Sequence, residues 1–377
     1  MSSAVLGRSV LARSMLGSTL RIGTLLTSAV LHTPVFLSPV LLGLGACSSD
    51  VPPGALASSD SRAGHSPLGK DRPIVFRSSA LEDGLGVLYR MAPDGSQLEA
   101  ITSEGDITVP EWSPDGEQIA FRWNVEGVGS DVGILEPDHG APVLLTRGEN
   151  VFLRNSAVSW SRDGTSVAFA SAQERAGNKT FPDTWRMMTL ERTGGTARPL
   201  LPSLAIGQEA AAWSPDGSGS LVITQMGTTS AVDLWLVHGE AEPAPSNLTA
   251  GRVFAPRFPR WSPDSRQIVF AGYPLDAEGN VEGLADHTHG FTPPDAEIFV
   301  VDVATQELTR VTDDEWDDTT PAWAPDGEHL LIASSRDGDT DLWLLPITAP
   351  EQARNLIDDA DSPREDVMPS WFAGPTP

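Results

Sequence analysis

From residue 73 onward short apolar runs alternate with polar stretches rich in Gly, Pro, Asp and Ser, a pattern of short strands and tight turns rather than of long helices. One signature recurs: Trp112-Ser-Pro-Asp-Gly116, Trp160-Ser-Arg-Asp-Gly164, Trp213-Ser-Pro-Asp-Gly217, Trp261-Ser-Pro-Asp-Ser265, Trp323-Ala-Pro-Asp-Gly327 and a degenerate Trp371-Phe-Ala-Gly374. The Trp spacings are 48, 53, 48, 62 and 48, and Pro precedes the Trp by two residues at Pro110, Pro259, Pro321 and Pro369. Each copy reads as a strand that ends in a turn. Trp supplies a large packing surface, Pro presets φ, Asp accepts from the turn's own backbone, and Gly takes the left-handed position.

Three more runs follow each turn. The second is Gln118-Ile-Ala-Phe-Arg-Trp123 and its counterparts, such as Gln267-Ile-Val-Phe-Ala-Gly272. The third opens at or near an acid, as in Asp131-Val-Gly-Ile-Leu, Asp233-Leu-Trp-Leu-Val, Glu297-Ile-Phe-Val-Val and Asp341-Leu-Trp-Leu-Leu. The fourth is short, as in Asn247-Leu-Thr249. That predicts four antiparallel strands per unit. Ahead of the first Trp lie three runs that match the second, third and fourth: Pro73–Ser78, Val87–Met91 and Leu98–Thr102. The last run, Met368–Phe372, is then expected to supply the missing first strand, so that six four-stranded units close into a ring with no open end. The expected fold is all-β.

Residues 1–46 are a different kind of sequence. They carry Arg8, Arg13 and Arg21 and no acid, and residues 23–46 are uncharged and mostly apolar apart from His32. This is the charged and apolar order of an export signal. Residues 47–72, rich in Ser, Gly, Pro and Ala, read as a tether with an r.m.s. span on the order of 27 Å. Residues 73–372 form the domain and 373–377 a tail. An uncleaved membrane anchor, or a start at Met15, are the alternatives for the leader.

The chain has 377 residues with 25 Lys+Arg against 51 Asp+Glu, a net charge of −26 that becomes −29 once the three leader arginines are gone. Such a surface repels phosphate backbones and anionic lipid headgroups, which excludes nucleic acid and leaves a lipid anchor as the only expected tie to a membrane. The single Cys, Cys47, rules out an internal disulfide.

The Trp-Ser-Pro-Asp-Gly units with their Asp-Leu-Trp strands resemble the six-bladed β-propeller of the TolB family across residues 73–372. Leu44-Gly45-Ala46-Cys47 resembles the bacterial lipobox, which implies lipidation at Cys47, and Ser48 after it implies delivery to the periplasmic face of the outer membrane. The TolB resemblance implies a role in the cell envelope; the expected partner is an envelope protein or peptide and the expected domain is monomeric. Similar propellers also occur as accessory domains of prolyl oligopeptidases and in some polysaccharide lyases. TolB carries a further α/β domain before its propeller, for which the tether leaves no room.

Candidate chemistry is sparse. G-x-S-x-G, the elbow of Ser hydrolases, is absent. His287-Thr-His289, beside Asp286 in the longest insertion, offers two metal ligands from one extended segment, or two solvated side chains. Asp337-Gly-Asp339-Thr-Asp341 has the alternating acids of a calcium loop but lacks its Gly, replaced by Leu342, and its terminal Glu, replaced by Thr348; a tight turn explains it equally. Acids crowd the connections into the Trp strands, notably Glu104, Asp106, Asp313, Asp314, Asp317, Asp318 and Asp366, while Arg252, Arg257 and Arg260 stand on the connection into Trp261. These residues are the expected binding surface at a channel mouth. The expectation is thus a non-catalytic binding scaffold without a cofactor, apart from weakly held calcium or another divalent metal. The alternative is a carbohydrate-active or hydrolytic enzyme with a metal near His287 and His289.

Overall fold

The computed structural model describes residues 73–80, 85–125, 129–138, 141–146, 158–172, 185–202, 208–218, 220–226, 232–238, 245–282, 295–357 and 364–374. The leader, the tether, Cys47, His287 and His289 lie outside them. Among the described residues no helix is long and apolar enough to cross a membrane.

The described strands form six four-stranded antiparallel sheets. Sheet II takes its strands in sequence order: Asp106–Trp112, Ile119–Val125, Gly129–Leu135 and Val143–Leu144. Sheets III to VI repeat it, with first strands Ser159–Trp160, Gln208–Trp213, Val253–Trp261 and Asp318–Trp323. Sheet I is assembled from both ends of the domain. Its first strand, Arg364–Trp371, lies antiparallel to Ile74–Ala80, with Ile74 opposite Trp371 and Ala80 opposite Arg364.

The second strands are apolar on both faces because both faces are covered. In Ile119-Ala120-Phe121, Ile119 and Phe121 pack with Val75 and Leu88 of sheet I, while Ala120 packs with Val158, Trp160 and Phe169 of sheet III. Buried clusters of this kind join sheets I and II, II and III, III and IV, IV and V, and V and VI. A sixth joins VI to I, with Leu331, Ala333 and Leu342 against Ile74, Phe76 and Met91.

The Trp-Ser-Pro-Asp-Gly turn is held by its own side chains. Ser113 Oγ donates to Asp115 Oδ1 at 2.5 Å, the Glu117 amide donates to the same oxygen at 3.1 Å, and the Gln118 amide donates to Ser113 Oγ at 2.9 Å. These bonds hold the carboxyl of Asp115 below the ordinary aspartate range although burial pushes the other way; Asp163, Asp216 and Asp326 are lowered in the same turn position. The fifth residue is left-handed in every full copy, at φ 71° for Gly116 and 60° even for Ser265. At Gly116 a second constraint applies: a Cβ would stand 2.6 Å from the Phe372 ring.

The Pro two residues before the Trp also finds its reason. Val109, Phe258, Thr320 and Met368, each just ahead of such a Pro, are left-handed at φ 48°, 55°, 45° and 58°. Each sits in a bulge where the first strand carries one extra residue against the second, as between Thr108–Arg122 and Glu111–Ala120. A residue without an N–H fits where the ladder is already broken. Two bulges are tied to their neighbours, with the Met368 amide donating to Thr320 Oγ1 at 3.1 Å and the Val109 amide to Met368 Sδ at 3.4 Å.

The acids that open the third strands are fasteners. Thr146 Oγ1 donates to Asp131 at 2.8 Å, Thr249 Oγ1 to Asp233 at 2.7 Å and Thr312 Oγ1 to Glu297 at 2.5 Å, each tying the outermost strand to its neighbour.

Candidate functional site

The first strands of all six sheets end at one cavity of about 620 Å³. Its walls are Trp112, Trp160, Trp213, Trp261, Trp323 and Trp371, and the residue before each Trp: Glu111, Ser159, Ala212, Arg260, Ala322 and Ser370. Four of those six preceding residues are small, which is what leaves the space. The two large ones meet: Arg260 Nη1 donates to Glu111 Oε2 at 3.0 Å, joining sheet V to sheet II, and each side chain is 19% exposed. Burial pushes the Glu111 carboxyl above its ordinary range, against the opposing pull of Arg260 and the Trp160 amide.

A lateral hydrogen-bond system surrounds the cavity. The indole Nε1 of Trp160, Trp261 and Trp323 donates to the carbonyl of Glu111, Ala212 and Arg260 in the preceding sheet, at 3.0, 2.8 and 3.1 Å. The backbone amides of Trp112, Trp160 and Trp213 donate to the side chains of Ser370, Glu111 and Ser159 at 3.2, 3.1 and 3.3 Å. Trp112 and Trp213 keep buried indole N–H groups with no acceptor among the described residues.

The residues expected at a channel mouth divide into separate places. Asp106 and Asp318 are the first residues of their strands and Asp366 lies inside its own, rather than on connections. Asp318 and Asp366 are 0% and 1% exposed, so they do not present charge to solvent. Asp318 pairs with Arg336 at 2.7 Å, and its carboxyl is pushed up to about 6, chiefly by burial. Asp106 accepts from the Gly86 amide at 3.2 Å and Asn124 Nδ2 at 2.9 Å, and Asp317 from the Ala296 amide at 2.9 Å, so both tie one sheet to the next or one strand to another. Glu104, Asp313 and Asp314 are exposed; Asp313 pairs with Arg310 at 2.8 Å and Asp314 with Arg336 at 2.9 Å. The arginines do not act together either. Arg252 donates to the carbonyls of Leu248, Thr249 and Gln306, Arg257 lies over Tyr273 at 5.0 Å, and Arg257 and Arg260 both belong to the strand Val253–Trp261. Of these three arginines Arg260 alone lines the cavity; Arg162, in the turn after Trp160, lines it too.

The carboxylates of Asp337, Asp339 and Asp341 lie within 4.8 Å of one another. Asn355 Nδ2 donates to Asp337 at 2.5 Å and to Asp341 at 2.7 Å, and Asn247 donates to Asp233 at 3.0 Å in the matching place of sheet IV. The amide tie is therefore part of the repeat.

No family model matches the chain. Among curated proteins it is similar to the uncharacterized peptidase YuxL of Bacillus subtilis (strain 168), 25% identical over 240 residues that cover 62% of this chain and 30% of that protein. It is also similar to dipeptidyl-peptidase 5 of Porphyromonas gingivalis, 23% identical over 301 residues, 69% of this chain and 42% of the relative. The chain spans less than half the length of these two relatives. Among solved structures it resembles TolB from Acinetobacter baumannii, with a TM-score of 0.61, 18% identity and coverage of 79% and 66%. Putative TolB from Agrobacterium tumefaciens gives a TM-score of 0.53, 19% identity and coverage of 80% and 99%. The fold is a β-propeller. Its blades are four-stranded and antiparallel.

Proposed function

We propose that the protein is an exported, lipid-anchored, non-catalytic propeller whose six sheets close as six blades, and that it binds a segment of an envelope protein or peptide in the cavity at their centre. The observation that carries this reading is the single cavity to which every sheet contributes the same two positions, the Trp and the residue before it. Closure is supported by six packed interfaces among six sheets, where an open row of six would have five. The Glu111–Arg260 pair, three sheets apart, supports it too. A concavity walled by aromatic side chains with polar groups such as Glu111 and Arg260 converging on it is the ordinary form of a binding site. The exposed acids Glu104 and Asp313 would add a second, weaker contact for a basic stretch of the partner. Cys47 would carry the lipid, and residues 47–72 would hold the monomeric domain off the periplasmic face of the outer membrane.

The test is capture of partners from envelope extract by the full-length protein, with and without Ala212→Phe plus Ala322→Phe, which fill the cavity. Loss of the captured protein, with an unchanged circular dichroism spectrum, is expected; undiminished capture would contradict the reading. Cys47→Ser should move the protein from the membrane to the soluble fraction. Hydrolysis is the second reading, favoured by the peptidase names of two relatives. Stoichiometric metal in the purified protein, with an activity lost in His287→Ala/His289→Ala, would establish it.

A further inference from the structure

We infer that the cavity is a receptor for a carboxylate on the bound peptide, gripped by Arg260; this deepens the binding reading above and rests on it. The first ground is spare donor capacity. A guanidinium has five N–H donors in a planar fork. Three other arginines spend theirs on several carboxylates: Arg310 holds Glu282, Glu297 and Asp313, Arg336 holds Asp314 and Asp318, and Arg90 holds Glu99 and Asp138. Among the described residues the Arg260 side chain meets one acceptor, Glu111, through one nitrogen, and Arg260 lines the cavity. Its remaining edge is a seat for a second carboxylate.

Space is the second ground. Ser159, Ala212, Ala322 and Ser370 keep the cavity open, and 620 Å³ falls within the range of roughly 300–1,000 Å³ for small-ligand sites.

A basic ligand group fits less well. To reach Glu111 it would have to displace Arg260 and leave two cations in one cavity. The acids facing the cavity are already engaged, Asp115 by Arg192 at 3.1 Å and Asp163 by its own turn. The acids at the strand starts are remote: seven extended residues, as from Asp106 to Trp112, span about 20 Å, against a screening length of about 8 Å in physiological salt.

Binding is read by calorimetry and Trp fluorescence on the full chain, with three probes: acetyl-Ala-Ala-Phe as the free acid, the same peptide as its amide, and acetyl-Ala-Glu-Phe amide. At least one of the two anionic peptides should bind tenfold or more tightly than the neutral amide, and which one does so distinguishes a terminal from a side-chain carboxylate. Arg260→Gln should remove that preference. Glu111→Gln, whose single amide oxygen can still accept from the Trp160 amide while the bond from Arg260 and the competing anion are lost, should strengthen anion binding several-fold. Equal binding of both anionic peptides and the neutral amide, weakening by Glu111→Gln, or no binding of any probe at millimolar concentration would overturn the inference. If envelope partners are still captured in a cavity-dependent way, such a result sinks the carboxylate assignment alone; if capture also survives filling the cavity, the binding reading falls with it.

Discussion

Replacing Arg260 with Met leaves Glu111 facing Trp160 and Ser159 with its countercharge gone. The pair lies across the cavity at 3.0 Å, and each partner is only 19% exposed, so screening by water is limited. Breaking a buried pair by removing one partner costs about 3–5 kcal/mol, and partial access to the cavity should bring this to roughly 2–4 kcal/mol. Glu111→Met with Arg260→Met removes both charges and should recover most of the loss, because apolar replacement of a whole pair is close to neutral. The pH dependence has a definite sign. Burial already raises the Glu111 carboxyl, and loss of Arg260 raises it further. A carboxyl raised in the folded state contributes most below its unfolded value and loses that contribution as pH rises through the folded value. The deficit of Arg260→Met should therefore shrink as pH falls from 7 toward 4.5. Urea unfolding of the wild type, both single variants and the double variant at the two pH values measures the coupling. A coupling below about 0.5 kcal/mol, the additivity expected of distant sites, would refute the claim that sheets II and V face each other across a shared cavity.

Two further outcomes follow from the turns and the buried acids. Gly116→Ala should cost about 2–4 kcal/mol, because a left-handed φ of 71° is combined with a Cβ 2.6 Å from Phe372, whereas Gly327→Ala, at 69° with nothing within 4 Å, should cost about 1–2 kcal/mol in thermal or urea unfolding. Asp318, at about 6 against an ordinary 3.8, should titrate near pH 6 in carboxyl carbon NMR, and its contribution to stability should be greatest below pH 3.8 and fall as pH rises through 6; Asp318→Asn should flatten that part of the profile.

The strands and their order are legible in the chain because each turn is built from neighbours. Ser113, Asp115 and Gly116 need no distant partner to form theirs, and the same holds in each copy. The Pro before each bulge is equally visible, but its consequence is not. The left-handed residue beside it is Val109, Phe258, Thr320 or Met368, which share no chemistry. Burial of charge was harder still to read. Asp318 and Asp366 resemble the exposed acids around them; Asp318 pairs with Arg336 from the turn after the second strand and Asp313 pairs with Arg310, so burial rather than pairing separates the two. The cavity pair joins distant parts of the chain: Glu111 and Arg260 are 149 residues apart. A trace does exist, since the residues before the six Trp read Glu, Ser, Ala, Arg, Ala, Ser, with opposite charges three units apart.

Sheet I, made from both ends of the domain, decides whether the blades close. Ser79 lies opposite Glu365 in the pairing of Ile74–Ala80 with Arg364–Trp371. With Cys47→Ser as background, Ser79→Cys together with Glu365→Cys should give one intramolecular disulfide under mild oxidation, seen as the loss of two hydrogen atoms in the intact mass of the monomer. Two free thiols, or crosslinked dimers alone, would contradict a propeller closed by its carboxy-terminal strand.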